Sequence, residues 1–173
     1  RMSKMTTSVR VLAEADLDDF WQIRLRALKE HPESFGASLT ESEQMTRSEI
    51  LQRLTATADS FVLGVFNPDL VGIAGFFRRS GLKLKHKGTI WGVYVTPESR
   101  GQKLGKLLIE SCIDRAKAMP DMEHIMLTVV TANGAARELY KSLGFVSFGI
   151  EPAALKCNGQ DYDEEMMQYT INK

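Results

Sequence analysis

Apolar and polar positions follow two different periods along the chain, which predict short strands interrupted by amphipathic helices. Apolar residues recur every three or four positions in four segments, which we interpret as helices. The best defined of them begins after Gly101 and ends before Pro120. Its apolar residues are Leu104, Leu107, Leu108, Cys112, Ala116 and Met119.

Residues that favour helix starts precede the other helical segments. Asp16, with Asp19 three residues later, can cap the first helix, and Thr46-x-x-Glu49 is a capping box for the second. Asn133 can cap the last one. The apolar side of the first helix is predicted to consist of Leu17, Phe20, Trp21, Leu25 and Leu28.

Extended apolar runs predict strands over residues 9–12, 61–66, 70–79, 89–95, 125–130, 145–157 and 162–171. Asn67-Pro68-Asp69 separates the second and third runs as a turn, and Asn158-Gly159 is typical of a hairpin between the last two. The predicted order is β α α β β β α β α β β. This order indicates a mixed α/β fold.

The chain has the size and composition of one globular unit. Its 173 residues contain no internal repeat or linker, so residues 1–173 are predicted to form a single domain. Arg1 before Met2 is interpreted as a remnant of an expression sequence, and residues 1–5 are expected to lie outside the ordered fold. No apolar run approaches the roughly 20 residues that span a bilayer, which favours a cytoplasmic protein.

Charge and cysteine content exclude several function classes. The 22 basic residues balance the 22 acidic ones, so no nucleic-acid or membrane partner is expected. The short basic run at residues 83–87 is better explained as a solvated turn. Cys112 and Cys157 lie far apart without a neighbouring Cys or His at ligand spacing, so we expect buried thiols and no metal site.

The segment 93–108 carries the strongest chemical signal. A predicted strand leads into a loop with Gly101 and Gly105, and the loop opens into a helix. Glycines permit close backbone approach, and the unpaired N–H groups at a helix start attract anions. With Arg100, Lys103 and Lys106 nearby, this segment predicts a phosphate or pyrophosphate site.

Two well-known phosphate loops do not fit this segment. A P-loop needs four residues between its first glycine and Gly-Lys-Ser/Thr, whereas Gly101 and Gly105 enclose three and Leu107 follows Lys106. A dinucleotide fingerprint needs Gly-x-Gly-x-x-Gly, which is missing here. Nucleotide hydrolysis and dinucleotide binding are therefore disfavoured.

Two motifs resemble those of the GNAT superfamily of N-acetyltransferases. Arg100-Gly101-Gln102-Lys103-Leu104-Gly105 is similar to its Arg/Gln-x-x-Gly-x-Gly/Ala motif. The second motif consists of Asn133, Ala136, Leu139, Tyr140, Gly144 and Phe145. The resemblance covers about residues 89–148. It implies a mostly antiparallel, twisted sheet of about seven strands, flanked by about four helices, and acetyl-CoA as cosubstrate.

The resemblance also implies which residues bind acetyl-CoA. The backbone amides that would bind its pyrophosphate are those of Arg100, Gly101, Gln102, Lys103, Leu104, Gly105 and Lys106. Its pantetheine arm would pair with the strand at Val93, Tyr94 and Val95, where one amide would stabilise the oxyanion. Asn133 would bind the same arm, although a helix cap is its alternative role.

Lys103 departs from the motif, because the family usually has glycine at this position. A backbone N–H can be donated by any residue unless φ is positive. We therefore expect a lysine side chain that points outward and adds charge.

Tyr140 corresponds to the tyrosine that protonates the departing thiolate in many members of the family. A phenol can donate to a thiolate held in contact with it. The alternative is a packing role, since its predicted helix face also carries Ala136, Leu139 and Leu143.

The acceptor side has weaker signals. The acceptor amine must lose a proton, and the candidate bases are Glu33, Glu41, His86 and Asp163, each with a solvated surface charge as the alternative. Phe35, Trp91 and Tyr162 are candidates for the acceptor pocket, with core packing as the alternative for Trp91. Asp161, Asp163, Glu164 and Glu165 form an acidic patch that suits a cationic amine.

These features predict direct transfer of acetyl from acetyl-CoA to a primary amine of a small molecule or peptide, in a ternary complex. Neither cysteine lies in a motif typical of a nucleophile, so no acyl-enzyme is expected. The alternative is a non-catalytic acyl-CoA sensor or regulatory module on the same fold. A homodimer is compatible with the sequence.

Overall fold

The computed structural model describes residues 6–172 as one seven-stranded sheet flanked by five α-helices. The strands are β1 (Ser8–Val11), β2 (Ser60–Phe66), β3 (Leu70–Arg78), β4 (Lys87–Val95), β5 (His124–Val130), β6 (Val146–Cys157) and β7 (Gln160–Thr170). The helices are α1 (Leu17–Glu30), α2 (Leu39–Glu43), α3 (Arg47–Leu54), α4 (Leu104–Lys117) and α5 (Gly134–Ser142). The expectation for residues 1–5 falls outside the described residues.

The sheet order is β1-β2-β3-β4-β5-β7-β6. All neighbours are antiparallel except β4 and β5, which run parallel because α4 crosses over between them. Residues of α4 and α5 belong to one buried cluster, and residues of α1 and α3 to another, each completed by sheet side chains. The predicted mixed α/β fold with a mostly antiparallel sheet is confirmed.

The structure has five helices within residues 6–172, against about four predicted from the sequence. The additional helix, α2, has only five residues and is capped by the preceding Ser38, whose side chain accepts a hydrogen bond from the Glu41 N–H. Such a short helix has no room for an apolar repeat, so periodicity does not reveal it. None of the described helices meets the length and hydrophobicity that a membrane crossing requires.

Two of the three predicted helix caps are present in the structure, and the third is not. The capping box of Thr46 and Glu49 is present at α3, and Asn133 caps α5. Asp16 precedes α1, but its side chain does not cap the helix. Its two carboxylate oxygens instead each lie 2.8 Å from an Arg10 guanidinium nitrogen, and one also accepts the Ala13 N–H.

This arrangement makes Asp16 a pH-dependent contributor to stability. The Arg10 hydrogen bonds hold the pKa of the Asp16 carboxyl below its ordinary value. A lowered folded-state pKa stabilises the protein above the unfolded pKa of about 3.9, and this contribution is lost as the pH falls through the folded-state pKa. We expect Asp16→Asn to lower the free energy of unfolding at pH 7 by about 1–2 kcal/mol.

Urea unfolding at several pH values checks this expectation. The difference between Asp16→Asn and the native chain should shrink steadily below pH 4. Asp18→Asn is the matched control, because Asp18 also pairs with an arginine, Arg47, but both side chains are well exposed. An equal loss in both variants, or a loss that does not change with pH, would contradict the assignment.

The parallel pair β4 and β5 separates after a short stretch. Their pairing is confined to Lys87–Thr89 of β4 and His124–Met126 of β5. Beyond these residues the two strands diverge. β4 also bulges against β3, where the register shifts between Ile73 and Gly75, and Gly92 within the bulge has φ +64°.

Candidate active site

A cavity of about 1010 Å³ occupies the gap between β4 and β5. Its walls come from both strands, the loop that leads into α4, the start and middle of α5, and the 3₁₀ turn Pro32–Ser34 after α1. Its size is at the upper end of the range for small-molecule sites. The separation of two paired strands therefore creates a ligand-sized space in the fold.

The loop between β4 and α4 forms one end of this cavity. Gly101 has φ +84°, a conformation that favours glycine, and a Cβ placed there would meet no atom within 4 Å. At Gly105, a Cβ would make only ordinary contacts, the closest to Leu139 at 3.5 Å. The first amides of α4 have no intrahelical acceptor. This end of the cavity can therefore receive an anion against backbone N–H groups.

Lys103 adopts the positive φ that was the stated exception in the sequence analysis. Lys103 has φ +60° and ψ +28°, the left-handed region, and it immediately precedes α4. The family's usual glycine would adopt this conformation without strain, whereas lysine carries a Cβ penalty. The side chain is exposed and lines the cavity, so it still adds charge at the loop.

We expect Lys103→Gly to stabilise the chain. Glycine carries no Cβ penalty in the left-handed region, which relieves about 1–2 kcal/mol, and its greater freedom in the unfolded state offsets about half of that gain. Chemical denaturation should therefore show a rise of roughly 0.5–1 kcal/mol. The matched control is Lys106→Gly, which removes the same charge inside α4 and should instead lose about 1 kcal/mol. A loss of stability at position 103 would contradict the strain.

Arg100 holds the loop to its surroundings. Its Nε donates a hydrogen bond to the Val95 carbonyl at 3.2 Å, and its Nη2 lies 3.2 Å from Nε2 of His31.

Lys106 makes a 3.7 Å ion pair with Glu110 on the next turn of α4. Gln102 does not line the cavity, since its side chain accepts a hydrogen bond from Asn67.

The strand residues Val93, Tyr94 and Val95 all line the cavity. The Tyr94 side chain is buried, with only 4% of its surface exposed, and its hydroxyl donates a hydrogen bond to Glu30 at 2.5 Å. Burial and this carboxylate raise the pKa of Tyr94. Tyr94 can therefore serve a ligand through its backbone, while its ring fastens β4 to α1.

Tyr140 lies on α5 and reaches the cavity from the buried side. It is 7% exposed, and its ring packs edge-on against Phe145 at 6.0 Å between centroids. Burial raises the pKa of the Tyr140 phenol to about 12. The phenol therefore stays protonated throughout the physiological range and can act as a hydrogen-bond donor.

Asn133 lies where α5 meets the same cavity. Its Oδ1 accepts a hydrogen bond from the Ala136 N–H at 3.2 Å, which caps the helix. The residue also lines the cavity. Its cap uses the carbonyl oxygen and leaves the amide NH₂ available to a ligand.

The predicted base candidates occupy very different places. Glu33 lines the cavity, 3.9 Å from His31. Glu41, His86 and Asp163 do not line it. Glu41 accepts a hydrogen bond from Ser38 at the start of α2, and Asp163 accepts one from the Ala153 N–H.

Local structure explains the positions of His86 and Asp163. His86 precedes β4 at the end where β4 and β5 are paired, and its ring packs against that of His124. Asp163 precedes Glu164 on β7, so the two side chains point to opposite faces of the sheet. Glu164 lines the cavity and accepts a hydrogen bond from Thr128 at 3.2 Å.

The acceptor-pocket candidates divide in the same way. Phe35 and Trp91 line the cavity, whereas Tyr162 does not. Within the acidic patch, only Glu164 reaches the cavity, and Glu165 is buried in an ion pair with Arg137 at 2.8 Å. The patch is therefore not one surface, since β7 distributes it over both faces.

Arg24 is the most unusual residue of this site, and it was not among the residues predicted from the sequence. It is 5% exposed, lines the cavity, and takes the place on the buried side of α1 that was predicted for Leu25. Its spacing of four from both Phe20 and Leu28 was the available signal, because that spacing puts a charge on the apolar face.

Comparison with known proteins fits this architecture. The profile of the Acetyltransferase (GNAT) family matches residues 19–145. A Bacillus subtilis (strain 168) protein, named as a candidate ribosomal protein bS18-alanine N-acetyltransferase, is 34% identical over 84 residues, which are 49% of this chain and 54% of that protein. The chain thus spans about half the length of this curated relative.

Solved structures share nearly the whole fold. A GNAT-family acetyltransferase from Streptococcus pneumoniae superposes with a TM-score of 0.85 at 23% identity, covering 96% of this chain and 100% of the other. A candidate acetyltransferase from Salmonella typhimurium, in a structure with its cofactor acetyl-CoA, has a TM-score of 0.81 at 23% identity, covering 96% and 95%. The fold is therefore that of the acetyltransferases, and the chain belongs to the GNAT family.

Proposed function

We propose that this protein transfers the acetyl group of acetyl-CoA to a primary amine. The observation that carries the proposal is a continuous cavity that joins a helix-start anion site, at Gly101 to Lys106, to Tyr140 and two carboxylates. Acetyl-CoA has a pyrophosphate, an extended arm and a thioester. The helix-start anion site suits the pyrophosphate, the cavity suits the arm, and Tyr140 and the carboxylates lie where the thioester would react. The family membership and the acetyl-CoA bound by the Salmonella relative support the same donor.

The donor would be held mainly by backbone groups. The amides from Gly101 to Lys106 would bind the pyrophosphate, with the exposed Lys103 adding charge. The Arg100 N–H is not among them, because it already donates to the Pro97 carbonyl at 3.3 Å. The arm would lie along Val93 to Val95, in the gap that β5 leaves open, and Asn133 would bind it with its free NH₂ group. The open space above Gly101 supports this fit. At position 105 a Cβ would make only ordinary contacts, so the protein's own packing does not require glycine there.

The thioester supplies an activated acetyl carbon. The amine nitrogen attacks this carbon, a C–N bond forms and the C–S bond breaks. A backbone N–H of the bulge at Gly92 and Val93 would stabilise the negative oxygen of the tetrahedral intermediate. Tyr140 would donate a hydrogen bond to the departing sulfur, and the proton released by the nitrogen completes the thiol.

Proton removal from the incoming ammonium requires a base. Glu33 and Glu164 are the carboxylates that line the cavity among the described residues, and they enter from the 3₁₀ turn after α1 and from β7. We propose that one of them accepts this proton, directly or through water. Among the four bases predicted from sequence, Glu33 is thereby retained as the candidate.

Release of free thiol from acetyl-CoA in the presence of a panel of amines, amino acids and N-terminal peptides tests the proposal. We expect thiol release that depends on one acceptor class, with the acetylated acceptor detected by mass spectrometry. Acetyl-CoA binding without release for any acceptor would favour the sensor alternative. Attack through an acyl-enzyme would instead give a protein mass increased by one acetyl group, which contradicts the ternary complex.

Two further expectations accompany this function. A cytoplasmic location stays a prediction. A homodimer also stays a prediction, and β6 offers a surface for it, since Val146, Phe148 and Ile150 are exposed along this edge strand. Light scattering on the purified chain measures the oligomeric state.

A further inference from the structure

Arg24 is a buried cation without a charged partner among residues 6–172. Its Nε and Nη1 atoms are shielded from solvent, and neither has a hydrogen-bond partner in this part of the chain. Within the same residues, no carboxylate forms an ion pair with it, and its closest charged influence is a second cation, Arg53. Burying a charge without a partner lowers the stability of the folded state, so the presence of an arginine at this position needs a reason.

The structure holds the guanidinium in a defined position. Its central carbon lies 5.3 Å from the Phe35 ring centroid and 5.6 Å from the Trp91 ring centroid. Contacts of this kind stabilise a cation without using its N–H groups. Nε and Nη1 of Arg24 thus have no hydrogen-bond partner among the described residues, while two aromatic side chains that also line the cavity restrain the guanidinium.

Arg24 also lies beside the bulge of β4. A Cβ placed on Gly92 would come within 3.2 Å of its Nη1 atom. This is the part of β4 where the proposed function puts the thioester carbonyl. An anion bound by Arg24 would therefore lie very close to the attacking amine.

We propose that Arg24 binds the carboxylate of the acceptor, and that the acceptor is a free α-amino acid. A guanidinium recognises a carboxylate through two parallel N–H···O bonds. One carbon separates the amine and the carboxylate of an α-amino acid, which matches the short distance between Arg24 and the bulge. This inference rests on the proposed function, since it names the acceptor class of the same site.

Burial lowers the pKa of Arg24 to about 10, so the side chain is still charged at neutral pH. The cavity lining includes the apolar residues Phe35, Trp91, Met126 and Met166, beside the charged residues Glu33, Arg79 and Glu164. The four apolar residues would accommodate an uncharged side chain of the amino acid. An acceptor with a second cation would instead be repelled by Arg24.

The experiment compares each standard L-amino acid with its carboxamide as acceptor, using the native chain, Arg24→Met and Arg24→Lys. For the native chain we expect kcat/KM to be at least about tenfold higher for the acid than for the carboxamide. A charge-assisted hydrogen bond contributes about 1.4 kcal/mol or more, which corresponds to this ratio. Arg24→Met should abolish this preference and lower turnover of the acid while changing that of the carboxamide little. Arg24→Lys should keep part of the preference, because it retains the charge but loses the planar fork.

Two measurements separate this role from a structural one. Arg24→Met removes an unpaired buried charge, so its melting temperature without ligand should equal or exceed that of the native chain. Arg53→Gln removes the same charge from an exposed neighbour on α3, and it should leave the preference for acids unchanged. Equal loss for acids and carboxamides in Arg24→Met, or a lower melting temperature, would overturn the proposal.

The outcomes also distinguish this proposal from the proposed function. Turnover of carboxamides, amines or peptides as fast as free acids supports the acetyltransferase and overturns the carboxylate site. Amino acids that raise the melting temperature of the acetyl-CoA complex through Arg24, without turnover, support the carboxylate site and overturn the enzyme. No turnover of any acceptor in the panel, together with no binding of any amino acid, overturns both.

Discussion

Tyr140→Phe is expected to lower kcat by roughly 100-fold or more, the usual effect of removing a hydrogen-bond donor to the negative charge that develops in the transition state. The substitution removes only the hydroxyl, and the ring should keep its packing against Phe145. The affinity for acetyl-CoA should stay within about threefold, because the proposed donor site consists of backbone groups elsewhere in the cavity. Steady-state thiol release and a separate binding titration measure the two quantities.

The matched control is Tyr169→Phe. Tyr169 packs against Phe145 from the other side, at 5.6 Å between centroids, and it does not line the cavity. We expect its kcat to be unchanged. If Tyr140→Phe keeps its full kcat, or if both variants lose activity together, the phenol has a packing role.

The pH profile gives an additional criterion. Because the raised pKa of Tyr140 is about 12, its phenol stays protonated at pH values where most enzymes are assayed. Any fall of kcat between pH 8 and 10 must then have another origin. Tyr140→Phe should keep the same pH profile with a lower plateau, and a change in the shape of the profile in this range would contradict the assignment.

Gly75→Ala is expected to have the largest effect on stability. Gly75 lies on β3 opposite Trp91 of β4, and an added Cβ would lie 2.1 Å from Cε2 of the Trp91 ring. The ring or the strand must move, and overpacking of this kind costs about 1–3 kcal/mol. For a chain of this size, we expect the melting temperature to fall by roughly 3–10 °C.

The same substitution should disturb the acceptor side of the cavity, because the ring of Trp91 also faces Arg24. We expect a higher KM for the acceptor and a smaller change for acetyl-CoA. Gly36→Ala is the matched control, since Gly36 also lines the cavity but an added Cβ would meet open space there, without a positive φ. Partial recovery of the melting temperature in the double variant with Trp91→Leu would identify the ring as the cause, and no recovery would contradict it.

Sequence patterns predicted those parts of the fold that depend on local chemistry. The capping box at Thr46 and Glu49 is present as expected, and the hairpin at Asn158 and Gly159 has φ +51° and +77°, the left-handed region that such turns require. Both depend on residues adjacent in the chain. The cavity-lining loop was likewise found from its glycines and its helix start.

Other features depend on tertiary structure, which the sequence does not display. The left-handed φ of Lys103 follows from how the loop joins β4 to α4, and a lysine gives no hint of it. Arg24 was missed because the predicted apolar side of α1 contained Leu25, whereas the structure buries Arg24. Alternation along β7 puts Asp163 and Glu164 on opposite faces, but which face borders the cavity depends on how β7 pairs with β5, which the sequence does not display.

The central claim is that the cavity between β4 and β5 binds acetyl-CoA. The melting temperature of the purified protein, measured with increasing acetyl-CoA, tests it most directly. At about 100 times the dissociation constant, a ligand stabilises the folded state by about 2.7 kcal/mol. We therefore expect a rise of several degrees with acetyl-CoA, and an unchanged melting temperature up to millimolar acetyl-CoA would contradict this claim.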